Sequence, residues 1–177
     1  RGLGDVYKRQ ILGGNTGSAN TGLAAQYNVN YNNTELVLNA LVQGNSSLTH
    51  AGAGTLILDQ ANTAAGALGI TNAGAVVQLG TEDKAGQWAG TVLNGAGTLK
   101  IVNGALTSAM TRAEGATAAI VVDSAASVNL GGTDGSMLKG ITLAAGGRLA
   151  NVSGDITVGA GATETLNLTP VSYTHLT

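Results

Sequence analysis

GAGTLILDQANTAAGALGITNAGAVVQLG, residues 52–80, shows a turn-then-strand unit twice. Glycine and small residues lead into a short β-type run ending at Leu58. A second corner at Asn72, Ala73 and Gly74 leads into Val76, Val77 and Leu79. The apolar residues that close such runs along the chain are Leu38, Leu58, Leu79, Ile101, Val122, Leu143 and Leu166, at steps of 20, 21, 22, 21, 21 and 23. A period near 21 predicts an array in which each unit buries its face only by stacking on its neighbours. Within the units the signals are those of strands: GTLIL at 54–58, AVVQL at 75–79, GTLKI at 97–101, AAIVV at 118–122 and GITL at 140–143. No sustained helical stripe is present.

A leucine-rich repeat has a similar period but needs a fixed leucine pattern with an asparagine in each unit, and that pattern is missing. The expected fold is therefore all-β, a parallel β-helix with coils of about 21 residues and three short strands per coil. Seven or so coils at roughly 4.8 Å each would form a rod on the order of 34 Å long.

Of 177 residues, 28 are Gly, none is Cys or Phe, and 44% are hydrophobic, chiefly small aliphatics, which predicts a narrow core. With 10% charged residues the chain resembles neither a charge-rich disordered tail nor a basic nucleic-acid binder, and its apolar residues are too dispersed for a membrane helix. The absence of cysteine excludes disulfides and thiolate metal sites.

The two ends differ from the rest. RGLGDVYKRQ at 1–10 and PVSYTHLT at 170–177 resemble translated sequencing-adapter remnants; they hold the only proline, Pro170, together with Arg1, Lys8, Arg9 and two of the four tyrosines. Setting them aside leaves 11–169 as a single β-helical fragment with five basic and nine acidic residues, a net charge of −4. On this reading the natural protein continues past both ends.

In chain order, YNVNY at 27–31 reads as an edge strand, and TELVLNALV at 34–42 as the strand that supplies Leu38. THAGAGTLIL, TNAGAVVQL and LNGAGTLKI, at 49–58, 71–79 and 93–101, share a polar residue, a glycine corner and a β-run. Glycine reaches positive φ without strain and asparagine tolerates it. Asn72 and Asn94, separated by close to one period, either serve simply as turn residues or stack in an amide ladder from coil to coil. The segment TEDKAGQWAG at 81–90 reads as a protruding loop whose Trp88 covers an apolar patch or meets a partner.

Residues 54–80 resemble the passenger-associated transport repeat of autotransporters, also called the autotransporter-associated β-strand repeat. The matching elements are Gly54, Thr55, Leu56 and Leu58, then Ala61, Asn62 and Thr63, then Gly66, Ile70, Ala73 and Gly74. The aromatic usual after the A-N-T step is replaced by Ala64 and Ala65. The resemblance implies a surface-displayed or secreted passenger region, exported by type V secretion from a Gram-negative-type bacterium. It also implies partners of three kinds: host or bacterial surface ligands, the rest of the passenger, and a C-terminal outer-membrane barrel outside this chain. Nucleic acid is not among them. The repeat brings no catalytic, cofactor or metal residues with it, and the chain is expected to be a non-catalytic structural or adhesive stalk.

The alternative is a carbohydrate-active β-helix enzyme, a polysaccharide lyase or hydrolase. Glycoside hydrolysis uses two carboxyl groups about 5 to 9.5 Å apart. Asp59 and Asp123 hold equivalent places but lie three coils apart, roughly 14 Å. Glu114, Asp134 and Asp155, spaced by 20 and 21, are the best candidates for one ladder of acids or a calcium site, although each adjoins a glycine as turn acids do. Arg112 and Lys139 are the bases a lyase would use. His50, the one histidine between the tails, takes the corner slot that Asn72 fills one coil later, which predicts a turn role. Sequons such as those at Asn32, Asn45 and Asn151 are expected by chance in an Asn- and Thr-rich chain. No P-loop, dinucleotide fingerprint or histidine metal motif occurs. Ice binding would need a regular Thr array, and the threonines do not recur at a constant phase.

Overall fold

The computed structural model describes residues 26–145, 147–156 and 166–168; the two end segments set aside above lie outside these. Among the described residues, sixteen short strands follow one another. The first half holds β1 (Gln26–Val29), β2 (Glu35–Leu38), β3 (Ser47–His50), β4 (Thr55–Leu58), β5 (Leu68–Ile70), β6 (Val76–Leu79), β7 (Gly86–Trp88) and β8 (Val92–Gly95). The second half holds β9 (Thr98–Ile101), β10 (Gly104–Leu106), β11 (Thr111–Arg112), β12 (Ala119–Ser124), β13 (Val128–Asp134), β14 (Leu138–Leu143), β15 (Leu149–Ser153) and β16 (Leu166–Leu168). A 3-10 turn, Gly135–Met137, joins β13 to β14. The paired strands are all parallel, so the chain winds as a β-solenoid, as the period predicted. Among the described residues no helix is long and apolar enough to cross a membrane.

Three sheets wall the solenoid. The long sheet has seven strands in the order β16-β14-β12-β9-β6-β4-β2; a five-stranded sheet runs β1-β3-β5-β8-β11, and a four-stranded sheet runs β15-β13-β10-β7. Alternation along each strand of the long sheet sends one set of side chains inward and the other outward. Coil-to-coil registry then stacks like on like: Leu38 lies beside Leu58, Leu58 beside Leu79, Leu79 beside Ile101 and Ile101 beside Val122. A second inward column runs Leu56, Val77, Leu99 and Ile120, and all of these side chains are buried. Full burial of one such side chain is worth about 1.5 to 3 kcal/mol, and no single coil can obtain it alone.

The predicted period needs one correction. Val122 is registered with Ile141, a step shorter than the period, and Ile141 with Leu166, a step longer than it; Leu143 faces the same core but lies beside Ser124. A register shift between Ile120 and Val121 places Leu138 and Gly140 opposite those two residues. A slip of two positions keeps inward side chains inward, which is why Leu143 satisfies the apolar pattern without being the partner.

The other two walls keep the period less strictly. Leu48 pairs with Leu68 at close to the expected step, but the next step, from Leu68 to Leu93, is longer because the insert at 81–85 falls within that coil. Nor does every coil contain three strands. Among the described residues, the first two coils have no strand in the third wall beyond the isolated bridge Ala61 to Gln87, and after β11 the long β13 carries the chain to the 3-10 turn. The segment TELVLNALV yields a strand only over Glu35–Leu38.

Candidate functional site

Glu114, Asp134 and Asp155 are all exposed. Asp134 ends β13 beside Ser153 and caps the 3-10 turn, its carboxylate accepting the Ser136 N–H at 2.8 Å. Hydrogen bonds from the Ser136 hydroxyl and main-chain N–H hold its carboxyl below the usual carboxylate range. Glu114 lies in the turn closed by Ala116 N–H to Ala113 O, and Asp155 follows β15. Among the described residues, no three His, Cys, Asp or Glu side chains are grouped so as to hold a metal ion. Arg112 is spent on main-chain oxygens, its Nε donating to Ala118 O at 2.7 Å and its Nη2 to Ser136 O at 3.5 Å.

Two other acids are paired with lysines. Asp59, buried just past the end of the long sheet's second strand, takes Lys84 Nζ at 3.0 Å and Gln60 Nε2 at 3.0 Å. Asp123 takes Lys100 Nζ at 2.8 Å. Lys84 stands on the 81–85 insert, so this pair ties the insert back to the coil beneath it. A groove of 920 Å³ runs along the outer face of the long sheet, bordered by Glu35, Ile57, Gln78, Lys100, Asp123 and Thr142. Glu35 and Asp123 stand on strands four steps apart, roughly 19 Å, beyond the reach of a carboxyl pair.

His50 is fully buried, and its place differs from the predicted corner slot: it ends β3 in register with Ile70, not Asn72. Its role is nonetheless that of a corner brace. Nε2 lies 2.8 Å from Gly54 O, four positions on, and Nδ1 lies 3.3 Å from Val29 O on the preceding coil. Both ring nitrogens therefore face main-chain oxygens rather than a cleft.

Of the two readings of Asn72 and Asn94, the turn role is the one found and the amide ladder is not formed. Asn94 is in register with Gly69, and each amide bonds locally, Asn72 Oδ1 to Gly74 N–H at 2.9 Å and Asn94 Oδ1 to Gly95 N–H at 2.8 Å. Asparagine side chains do cross between coils elsewhere. Asn151 Nδ2 donates to Asn129 Oδ1 at 3.0 Å, Asn32 Oδ1 accepts Ala53 N–H at 3.0 Å, and buried Asn62 Oδ1 accepts Val42 N–H at 2.8 Å. Asn62 Nδ2 also donates to Gln60 O at 3.1 Å. The A-N-T step at 61–63 thus braces the third wall where no strand exists. Its signal in the sequence was an asparagine followed by small residues, which alone does not separate a buried brace from a surface turn.

The loop expected at 81–90 is confined to 81–85. Gly86–Trp88 forms β7, and Trp88 is a fully buried core residue beside Leu106 rather than a cover or a partner contact. Glycines at both pairing positions, Gly86 and Gly104, let the two backbones approach: a Cβ on Gly104 would stand 2.0 Å from Gly86 O. Among the described residues the indole Nε1–H has no hydrogen-bond partner. No protein-family model, curated protein or solved structure matches this chain.

Proposed function

We propose that this chain is a non-catalytic structural or adhesive shaft, a β-helical part of an autotransporter passenger displayed on the surface of a Gram-negative-type bacterium. The observation that carries the reading is the seven-stranded parallel sheet whose inward columns run without a polar break from Leu38 to Ile141. Such a wall resists bending because each of its strands is bonded to the next. Buried polar side chains serve the same end: Asn62 and His50 are spent on main-chain groups of their own or an adjacent coil. The repeat-like stretch 54–80 supports the passenger assignment, and coil-by-coil folding outside the cell would help draw the chain outward.

The test is surface display. With the complete reading frame expressed in a Gram-negative host and an epitope tag placed in the exposed 81–85 insert, intact cells are expected to bind the tag antibody and to lose it on external proteolysis. A tag reached only after lysis would end the passenger reading. Release of reducing ends from polysaccharides by the purified chain, abolished by Asp134→Asn or Glu114→Gln, would put a glycan-cleaving enzyme in its place.

A further inference from the structure

Two Asn-Gly pairs occur in nearly the same local sequence, LNGAG at 93–97 and VNGAL at 102–106. An Asn-Gly bond can rearrange without an enzyme. The glycine N–H loses its proton, its nitrogen attacks the asparagine Cγ, and the Cγ–Nδ2 bond breaks with release of ammonia to leave a cyclic imide. Water then opens either imide C–N bond, giving aspartate or isoaspartate. Such a reaction needs the nitrogen held close to Cγ, the condition of a near-attack conformer.

The solenoid treats its two pairs differently. Asn94 is exposed, and the Gly95 N–H donates to its side chain, 2.8 Å from Oδ1, which keeps the nitrogen beside the amide group it would attack. Gly95 has φ +96°, a conformation open to glycine, and Ala96 and Gly97, rather than Gly95, donate to Ile70 O. Asn103 is half-buried. Its Nδ2 reaches Glu82 O at 3.4 Å and its carbonyl accepts the Gly86 N–H at 2.9 Å; strand pairing does not separate the two sites, since Asn94 and Gly95 end β8 beside Gly69 and Ile70 just as Gly104 begins β10 beside Gly86. One side chain is turned onto its successor and the other is tied to neighbouring segments.

We propose that Asn94 is a site of spontaneous deamidation and isoaspartate formation in the folded protein, and that the fold protects Asn103. The site is also placed to matter mechanically. Gly95 O accepts the N–H groups of both Thr117 and Ala118, at 2.8 and 2.9 Å, so it helps fasten one coil to the next. Isoaspartate inserts one more carbon into the backbone just ahead of that carbonyl and adds a charge at the corner.

Trypsin separates the two sites, because cleavage at Lys84, Lys100 and Arg112 yields peptides 85–100 and 101–112. The intact chain is held in warm, mildly alkaline buffer, folded in one arm and unfolded in urea in the other. Mass spectrometry then follows the exchange of NH2 for OH, and isoaspartate methyltransferase labelling identifies the product. In the folded arm peptide 85–100 is expected to convert about tenfold faster than 101–112, the equivalent of a 1.4 kcal/mol difference in barrier. The two rates are expected to converge in urea, and Asn94→Gln is expected to abolish labelling of 85–100. Hydrogen exchange at Thr117 and Ala118 should rise as the product accumulates. Equal or reversed rates in the folded chain, the same ratio in urea, or an inert 85–100 would each overturn the assignment.

Discussion

The third wall of the solenoid is closed by two different means. In the first two coils of the described residues it has no strand of its own, and a buried amide, Asn62, satisfies the Val42 N–H that a strand would otherwise pair. From β7 onward the wall is a sheet, with Trp88, Leu106 and Leu130 buried behind it. The difference shows what a solenoid coil requires. Each buried main-chain group must find a partner, and a suitably placed side chain can supply one. The apolar filling, by contrast, must come from bulk. Where the wall first becomes a strand, one large indole occupies the interior, even though its N–H goes unbonded among the described residues.

The largest test of this contrast is Trp88→Ala, which removes a fully buried side chain from the strand-built wall and should cost about 3 to 5 kcal/mol. Urea unfolding of the two chains measures it. Trp88→Phe keeps most of the volume and deletes the orphan N–H, so its cost should stay under about 1.5 kcal/mol. A Phe variant as damaged as the Ala variant would show that the indole nitrogen has a partner after all.

In the amide-built wall, Asn62→Ala leaves the Val42 N–H buried without an acceptor, and a loss of about 1 to 3 kcal/mol is expected. Asn62→Asp keeps an acceptor for Val42 but sets a carboxylate oxygen against Gln60 O, so it should not rescue stability at neutral pH. Full rescue by Asp would mean that only one of the two bonds matters.

Between the two regions stands the insert 81–85, tied down by Lys84 on Asp59. Lys84 is 56% exposed and Asp59 only 6%, so solvent screens the pair in part, and Lys84→Ala should cost about 1 kcal/mol. The deficit should shrink when unfolding is repeated in high salt. A deficit indifferent to salt would point to packing of the lysine stem instead.

The smallest effect belongs to Asp134, at the end of the strand-built wall. Its folded carboxyl is held below the ordinary value of about 3.9, so the stabilisation it supplies is present above that range and is lost as pH falls through the folded value. Asp134→Asn should therefore differ from the parent at neutral pH and converge with it in acid, as read by hydrogen exchange at Ser136. A gap that persists in acid would remove the carboxylate from the account.

Much of the long sheet was legible because a parallel, in-register stack repeats one side-chain type at one step. Leu58, Leu79, Ile101 and Val122 announce their shared column directly. The candidate acids were less legible. Spacing by about one coil offered a ladder for Glu114, Asp134 and Asp155 while their neighbouring glycines marked them as turn acids, and all three are exposed, with Asp134 bonded to the turn beside it. Asn72 and Asn94 had ladder spacing too, and each bonds within its own corner.

The sequence by itself determined that the chain winds in parallel coils and that Leu38, Leu58, Leu79, Ile101 and Val122 share the core behind the long sheet, because a period-two alternation repeated every coil leaves those residues one common interior. Tertiary structure alone decided the slip that sets Val122 beside Ile141, the burial of Trp88, and the choice of Asn62 rather than a strand to close the first coils. They are settled by hydrogen bonds and contacts between coils, which no local stretch of sequence contains.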